Sequence, residues 1–349
     1  MEYSIIVPVY NRPDEVDELL DSLTHQAFTD FEVIIVEDGS STPCKTVCDK
    51  YVGRLDIKYF MKPNGGPGQS RNYGVERAAG RYVLILDSDV VVPEGYLQAV
   101  DDELRLKPCE AFGGPDRAAD TFTPTQKAIS YSMTSFFTTG GIRGGKKKLD
   151  KFYPRSFNMG VRRDVYEKLG GFSKMRFGED IDFSIRIFKA GCRCRLFPGA
   201  WVYHKRRTDF RKFWRQVFNS GIARINLYKK YPESLKLVHL LPMVFTVGVF
   251  LLLAVFIAGP ILGYTVLRAC DPPLGGVISL AALLPLLFYS LLIFVDSSLQ
   301  NHSLRIGLLS IRAAFTQLMG YGCGFIKAWW QRCVLGKGEF EAYKRNFYK

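Results

Sequence analysis

Two aspartates, Asp87 and Asp89, end an apolar segment and are the side chains best suited to hold a divalent cation. They follow residues 82–86, whose uninterrupted apolar character predicts a strand buried on both faces. In open α/β sheets, ligands bind beyond the carboxyl ends of such strands. Two carboxylates at that edge offer hard oxygen ligands to a cation that would be shared with substrate phosphates. Taken alone, the spacing also fits solvated acids that end a strand.

Strand-like and helix-like segments alternate through the first part of the chain. Apolar runs predict strands at 4–9, 31–36, 57–61 and 82–86. Helical spacing predicts a helix at 14–26 and a second one that ends near Ala79. Strands alternating with helices favour an α/β fold with a mostly parallel twisted sheet flanked by helices.

Polar and turn residues come directly after these predicted strands, at Asn11, Asp38 and the Asp87/Asp89 pair. Asp38 can accept hydrogen bonds from the edge of a nucleotide base, and Gly39 lets the backbone approach a ligand. The alternative is that Asp38 only stabilises its own turn. Both interpretations of Asp38 stay open from the residues alone.

A glycine-rich turn at 65–68 precedes the second predicted helix. It lacks the Lys-Ser/Thr of a P-loop and does not match Gly-x-Gly-x-x-Gly, so a flexible turn is the favoured interpretation. Arg71, one turn inside the helix, is the residue of this segment that we place near a ligand.

Five motifs occur in the order found in family 2 glycosyltransferases: Pro8-Val9-Tyr10-Asn11, Glu37-Asp38-Gly39-Ser40, Arg71-Asn72-Tyr73-Gly74, Leu86-Asp87-Ser88-Asp89 and Gly178-Glu179-Asp180. The chain resembles that family over residues 3–230. The resemblance implies a GT-A nucleotide-diphospho-sugar transferase fold and a nucleotide-diphosphate-sugar donor, a UDP-sugar by default. It also implies a divalent metal, Mg²⁺ or Mn²⁺, and inversion at the anomeric carbon.

The resemblance assigns roles to single residues as well. Donor contacts would come from Pro8, Tyr10, Asn11, Asp38, Gly39, Arg71, Asp87, Ser88 and Asp89. Asp89 and His204 would bind the metal, Asn158 and Glu179 would lie on the acceptor side, and Asp180 would be the general base. Glu37 stands where the family more often has Asp, a departure that bears on the base contacts.

Two of these roles compete with structural alternatives. The acids at 179–182 begin a predicted helix, where the helix dipole stabilises negative charge in any case. His204 follows the predicted strand 200–203 and can equally face solvent. The same holds for the basic residues 205–211, for which a phosphate contact and a surface role stay open.

Two uncharged segments are long enough to cross a bilayer. We predict transmembrane helices at about 238–264 and 276–296, with buried core helices as the alternative. The start at Met1 leads directly into the first strand without an export signal, so we expect the large N-terminal part to face the cytoplasm, at the inner membrane.

The C-terminal segment 305–349 begins with a glycine-rich helix and ends in a basic tail. A third span would place this tail outside, against the positive-inside rule. We therefore favour a helix lying in the membrane interface, with Trp329 and Trp330 as anchors. The spanning alternative remains open.

These observations predict a catalytic domain at 1–232, with a donor half at 1–115 and an acceptor half at 116–232, then two spans within 233–304. The net charge of +13 is concentrated in basic clusters, of which the later ones flank the apolar runs. Lipid headgroups and phosphate-bearing substrates explain them better than nucleic acid. The eight cysteines show no zinc-binding spacing.

The predicted function is a membrane-anchored inverting glycosyltransferase of cell-envelope or exopolysaccharide assembly. It would add a single sugar to a glycan or lipid-linked acceptor, since the Gln-x-x-Arg-Trp motif of processive synthases is absent. One alternative is a polyprenyl-phosphate sugar synthase, and another is a non-catalytic nucleotide-sugar-binding scaffold. Association into a homo-oligomer is left open.

Overall fold

The computed structural model describes residues 1–117, 122–139, 152–175, 177–205, 207–265 and 273–339. Some basic residues therefore lie outside the described part of the chain, including residues 146–148, Arg206 and the end of the basic tail from residue 340. The chain divides into two units. We call the described residues of Met1–Thr121 and Asp150–Lys205 the sheet unit, and those of Phe122–Leu149 and Arg206–Asn346 the helical unit.

Ten strands occur among the described residues, all in the sheet unit. They are β1 (Tyr3–Val9), β2 (Phe31–Asp38), β3 (Ile57–Lys62), β4 (Tyr82–Leu86), β5 (Val90–Val91), β6 (Ala111–Gly113), β7 (Asp116–Arg117), β8 (Asn158–Arg162), β9 (Cys194–Leu196) and β10 (Val202–His204). Seven of them form one sheet in the order β3-β2-β1-β4-β8-β6-β9. The short strands β5, β10 and β7 form a second sheet in that order.

Twelve α-helices occur in the described part of the chain. They are α1 (Pro13–Thr24), α2 (Lys45–Asp49), α3 (Pro67–Val75), α4 (Tyr96–Leu106), α5 (Pro124–Thr134), α6 (Phe136–Thr139), α7 (Arg163–Lys168), α8 (Glu179–Lys189), α9 (Phe210–Lys230), α10 (Leu241–Thr265), α11 (Pro273–Asn301) and α12 (Leu304–Trp329).

The large sheet is mostly parallel, as the alternation of segments predicts. β1 pairs in parallel with β2 and β4, and β2 pairs in parallel with β3. Only β8 runs against its neighbours β4 and β6 among these described pairings. The carboxyl ends of β1, β2 and β4 therefore meet at one edge, and the first residue of β8, Asn158, pairs with Leu86 there.

Both faces of this sheet are buried, because side chains alternate along each strand. Ile5, Val33 and Leu84 pack on one face in a core with side chains of α1 and α4. Ile6 and Ile34 pack on the opposite face, in a core with side chains of α3 and α8. The predicted strands and helices of this half are confirmed, although α3 ends at Val75 rather than near residue 79.

Two helices of the helical unit are long and apolar enough to cross a membrane by length and composition. The apolar stretches Leu237–Pro260 and Gly275–Asn301 coincide with the two predicted spans. Only 11% and 17% of their most apolar windows are buried. A soluble core helix is mostly buried, so these low fractions favour a lipid-facing role over the alternative of core helices.

Helix α12 packs along α9 through contacts that require glycine. A Cβ added at Gly221 of α9 would lie 2.2 Å from the Tyr321 carbonyl oxygen, and one at Gly324 of α12 would lie 2.0 Å from the Phe218 carbonyl oxygen. The predicted domain limit at 232 assigns α5 and α9 to the catalytic domain, yet both helices belong to the helical unit. Their apolar residues, such as Phe213, pack against α12.

The same helix also touches one end of the apolar pair α10 and α11. The Thr246 hydroxyl, near the start of α10, donates to the Leu318 carbonyl oxygen at 3.3 Å. Ser297, near the end of α11, shares a 2.7 Å hydrogen bond with Ser310. Since α10 begins and α11 ends at the same end of the pair, both hydrogen bonds lie at that end. α12 also contacts the middle of α11, where the Tyr289 ring lies 5.7 Å from that of Phe315.

Gly324→Ala should destabilise the helical unit, because the new methyl group meets backbone and the two helices must separate. Overpacking of this kind typically costs about 1–3 kcal/mol. Gly248→Ala in α10 is the control, because no heavy atom lies within 4 Å of its added Cβ. Thermal unfolding in detergent should show a lower midpoint for Gly324→Ala and an unchanged or higher midpoint for Gly248→Ala. Equal unfolding midpoints for the two variants would contradict close packing of α9 and α12 at Gly324.

Candidate functional site

The two aspartates after β4 meet a histidine from a distant part of the chain. β5 begins just after Asp89 and pairs with β10 so that Val90 lies opposite His204. One donor atom from each of Asp87, Asp89 and His204 lies within 4.8 Å of the others. His204 Nε2 lies 3.2 Å from Asp89 Oδ1.

Neighbouring side chains hold the histidine in this orientation. The Phe157 ring stacks on the imidazole with a centroid distance of 4.8 Å. Asp116 Oδ2 lies 4.0 Å from the second ring nitrogen, Nδ1. This separation is longer than a hydrogen bond, so Asp116 acts on the imidazole only through its charge. Two carboxylates and one imidazole form a donor set that suits Mn²⁺ and accepts Mg²⁺, so the residues fit a divalent cation.

Each aspartate of this cluster also contacts an arginine. Arg12, at the start of α1, donates to Asp89 Oδ2 at 3.0 Å and to Glu15 at 2.6 Å. Arg71, in α3, donates to Asp87 at 2.8 Å and to Glu179 at 3.2 Å. The Arg71 guanidinium is buried and stacks on a phenylalanine ring of the same unit. Arg71 therefore connects the acid after β4 with the acid that begins α8.

The first residues of α8 differ in what surrounds them. Burial raises the pKa of Glu179 to about 7, although the neighbouring Arg71 acts in the opposite direction. Asp180 is partly exposed, with Arg155 Nε 3.5 Å from Oδ2 and the Ile181 amide donating to Oδ1. Asp182 is fully buried, unlike Asp180. Within this acidic run, Asp180 is thus placed to meet a ligand while Asp182 is part of the core.

Asp38 lies at the carboxyl end of β2 and organises the glycine-rich turn. The amides of Gly65 and Gly66 each donate to its carboxylate at 2.8 Å, and Lys62 donates to the same group. Gly39 has φ +72°, and a Cβ there would lie 2.8 Å from a backbone nitrogen. Asp38 therefore stabilises the 65–68 turn rather than its own turn, and a contact with a nucleotide base stays a prediction.

Glu37 precedes Asp38 and points into the protein. It is fully buried and accepts hydrogen bonds from the Ser40 hydroxyl, the Cys44 amide and the Tyr59 hydroxyl. The unusual glutamate at this position thus anchors the turn that follows β2. Sequence reasoning considered it only as a change in base contacts.

The other predicted donor residues line the same edge. Tyr10 is 44% exposed beyond β1, and Asn11 has φ +54° with its side chain accepting from the Thr42 amide. Pro8 is half-buried in β1, and Ser88 is buried between the two aspartates. Their contacts with a donor stay predictions.

Asn158, predicted on the acceptor side, lies at this edge but is 1% exposed. Its amide nitrogen donates to the Ala200 carbonyl oxygen at 2.8 Å, and its amide oxygen accepts from the Tyr96 hydroxyl at 2.7 Å. Both ends of the amide therefore hold the scaffold together. This placement favours a supporting position over direct contact with an acceptor.

A mostly parallel sheet with a carboxylate pair at its carboxyl edge is the architecture of GT-A-type glycosyltransferases. Residues 4–170 match the family model described as Glycosyl transferase family 2. These residues therefore match a family 2 glycosyltransferase domain, and they include four of the five motifs that carry the resemblance.

Two relatives from Bacillus subtilis strain 168 illustrate the similarity. The uncharacterized glycosyltransferase EpsJ is 26% identical over 212 residues, which are 58% of this chain and 60% of EpsJ. The minor teichoic acid biosynthesis protein GgaB is 35% identical over 219 residues, which are 60% of this chain and 23% of GgaB. The chain thus spans less than two thirds of either relative.

A solved structure extends the similarity in fold. The mannosyltransferase PcManGT from Pyrobaculum calidifontis, in complex with GDP-Man and Mn²⁺, has a TM-score of 0.57 and 17% sequence identity. The alignment covers 95% of this chain and 88% of PcManGT. At this identity, the similarity concerns the fold.

The raised pKa of Glu179 predicts a pH dependence of stability. A group whose pKa is higher in the folded than in the unfolded chain stabilises the fold below its unfolded value of 4.5 and loses that contribution as the pH rises toward 7. Urea unfolding from pH 4.5 to 7.5 should therefore show a loss of stability in the wild type that Glu179→Gln lacks. Glu167→Gln, at an exposed glutamate in α7, is the control. A Glu179→Gln profile parallel to that of the wild type would refute the shift.

Proposed function

We propose that the protein is a membrane-anchored inverting glycosyltransferase that transfers one sugar from a nucleotide-diphosphate sugar to a lipid-linked acceptor. The observation that carries this proposal is that two groups of polar side chains, which form the two ends of a site in the sheet unit, are connected by one arginine. The Asp87-Asp89-His204 cluster forms one end, and Glu179 and Asp180 form the other. Arg71 contacts both ends through Asp87 and Glu179.

The cluster end would bind the donor. Asp87, Asp89 and His204 would hold Mn²⁺ or Mg²⁺, which supplies positive charge to offset the charge that develops on a departing diphosphate. Asp38 and Tyr10 would contact the nucleotide at the neighbouring strand ends. The similarity in fold to PcManGT, whose structure contains GDP-Man and Mn²⁺, supports a nucleotide-sugar donor. UDP is our default nucleotide.

The α8 end would act on the acceptor. Asp180 is the most exposed acid of this run, with 17% of its side chain accessible against 12% for Glu179, and it would accept the proton of the acceptor hydroxyl. The sugar develops oxocarbenium-like character as it leaves the diphosphate, and attack from the opposite face inverts the anomeric carbon. Arg155, 3.5 Å from the Asp180 carboxylate, would orient that carboxylate before the acceptor binds.

The helical unit supports a location at the cytoplasmic membrane. α10 and α11 expose apolar side chains such as Phe250, Leu251 and Leu291 over most of their length. Two hydrogen bonds of α12 lie at the end of this pair where α10 begins and α11 ends, which supports the interfacial position predicted for it. Trp329 and Trp330 at its end are about half exposed and would lie at the headgroup level.

A groove of this unit supports a lipid-linked acceptor. It has a volume of about 420 Å³ and is lined by apolar side chains that include Trp214 and Phe315, together with the exposed Arg312. Arg312 stacks on Phe210 at 4.6 Å, and the described residues offer it no carboxylate within ion-pair distance. An apolar groove with one free guanidinium suits a lipid chain that carries a phosphate. The inner-membrane acceptor would thus be held beside α9 and α12.

Asp180→Asn should lower kcat by about 10²–10⁴-fold, the usual contribution of a general base, because the amide cannot take the acceptor proton. Binding of UDP with Mn²⁺, measured by calorimetry, should change little. Asp164→Asn, at an exposed acid of α7, is the control and should keep wild-type turnover. Near-wild-type transfer by Asp180→Asn would reject this residue as the base.

Arg312→Gln should raise the KM for lipid-extract acceptors several-fold and leave hydrolysis of the nucleotide sugar unchanged, because only the groove loses its charge. The matched control is Arg305→Gln, an exposed arginine two turns earlier on α12 and outside the groove. The assay measures radiolabelled sugar that enters the chloroform-soluble fraction. An equal effect of both variants would contradict a specific role of the groove.

A further inference from the structure

Arg12 pairs with a carboxylate that a bound cation would also need. It follows the Pro8–Asn11 motif and lies at the start of α1, where its guanidinium bridges Glu15 and Asp89. Asp89 is the buried acid of the Asp87-Asp89-His204 cluster, with its side chain 8% exposed. The carboxylate expected to hold a divalent cation therefore already has a cationic partner from the protein itself.

The electrostatics of this contact explain why it is present. A buried carboxylate without a nearby positive charge is costly, so Arg12 stabilises Asp89 while no metal is bound. A divalent cation on the same carboxylate would lie close to the guanidinium, and like charges at such distances repel. Metal binding and the Arg12–Asp89 ion pair therefore oppose each other.

The two arginines of the site differ in their freedom to move. The Arg71 side chain is 4% exposed and is held between Asp87 and Glu179. The Arg12 side chain is 35% exposed and keeps Glu15 as a second partner when it leaves Asp89. Of these two arginines, Arg12 is the one that can exchange its partner without leaving a buried charge unpaired.

We propose that Arg12 is an exchangeable counter-ion of Asp89, which yields the carboxylate to the divalent cation and turns to the diphosphate of the donor. This inference rests on the proposed function, because that function supplies the diphosphate. A planar guanidinium pairs well with phosphate oxygens. The donor gives Arg12 a new anionic partner and so frees Asp89 for the metal. Donor binding therefore raises the affinity for the metal, and metal binding raises the affinity for the donor.

The test measures Mn²⁺ affinity by electron paramagnetic resonance, first without nucleotide and then with saturating UDP, and in parallel with GDP. Without nucleotide, Arg12→Gln should bind Mn²⁺ about threefold to fivefold more tightly than the wild type, the range expected for losing one partly exposed ion pair. Nucleotide should strengthen Mn²⁺ binding more in the wild type than in Arg12→Gln. Arg12→Lys keeps the charge and should stay close to the wild type.

Lys205→Gln is the matched control for a simple loss of positive charge. Lys205 adjoins His204, but its ammonium group pairs with Glu18 rather than with the cluster. Its Mn²⁺ affinity without nucleotide should change less than that of Arg12→Gln. An equal gain in both variants, or a weaker Mn²⁺ affinity in a folded Arg12→Gln protein, would overturn the exchange.

The outcome separates this proposal from the proposed function. Tighter Mn²⁺ binding by Arg12→Gln supports the exchange even where no sugar is transferred, because that measurement contains no donor or acceptor. Normal transfer by the wild type together with an unchanged Mn²⁺ affinity in Arg12→Gln overturns the exchange alone. A failure of every protein to bind Mn²⁺, with and without nucleotide, overturns both the metal assignment and the exchange.

Discussion

The parallel pairing of β1 with β2 and β4 is the constraint on which the site depends. It brings three strand ends to one edge, where Tyr10, Asp38 and Asp87 emerge side by side. Burial of both sheet faces leaves no freedom to slide, because a shift of one residue would turn core side chains toward the wrong face. The antiparallel strand β8 then closes the same edge with Asn158, whose amide ties two further segments to it.

The acidic side chains of the site are paired with basic side chains. The acids of the described cluster are each held by a basic group from another element: Asp87 by Arg71, and Asp89 by Arg12 and His204. Buried carboxylates without such partners would take up protons instead of staying ionised. Glu179 illustrates this tendency, since burial outweighs its arginine and raises its pKa. The donor-side acids thus each face a positively charged partner, while the pKa of Glu179, beside the proposed base, is raised to about 7.

Much of this arrangement follows from the sequence because its signals are local. Runs of apolar residues identify β1, β2 and β4, and the residues after each run must lie at the carboxyl edge. The meeting of Asp87 and Asp89 with His204 was expected only through the family resemblance. No local sequence pattern predicts that β5 and β10 pair.

Other features depend on contacts that no local pattern reveals. The ion pair between Arg12 and Asp89 joins residues on different elements, and Arg12 was not selected, although it directly follows a predicted motif. The grouping of α9 with α12 was missed for a related reason. An amphipathic stripe shows that one face of a helix is buried, but it does not show which element covers that face. The glycines at the α9–α12 contact were visible, yet only the fold shows which backbone each one faces.

The short sheet of β5, β10 and β7 has a consequence for how the protein is made. Its strands come from three separated stretches of chain, and the histidine of the cluster lies in the last of them. During synthesis from the N-terminus, β5, which begins just after Asp89, cannot pair until β10 has been made. Long-range pairings of this kind form late, after local structure. A ribosome-bound chain that ends before residue 204 would hold most of the large sheet but no assembled cation cluster.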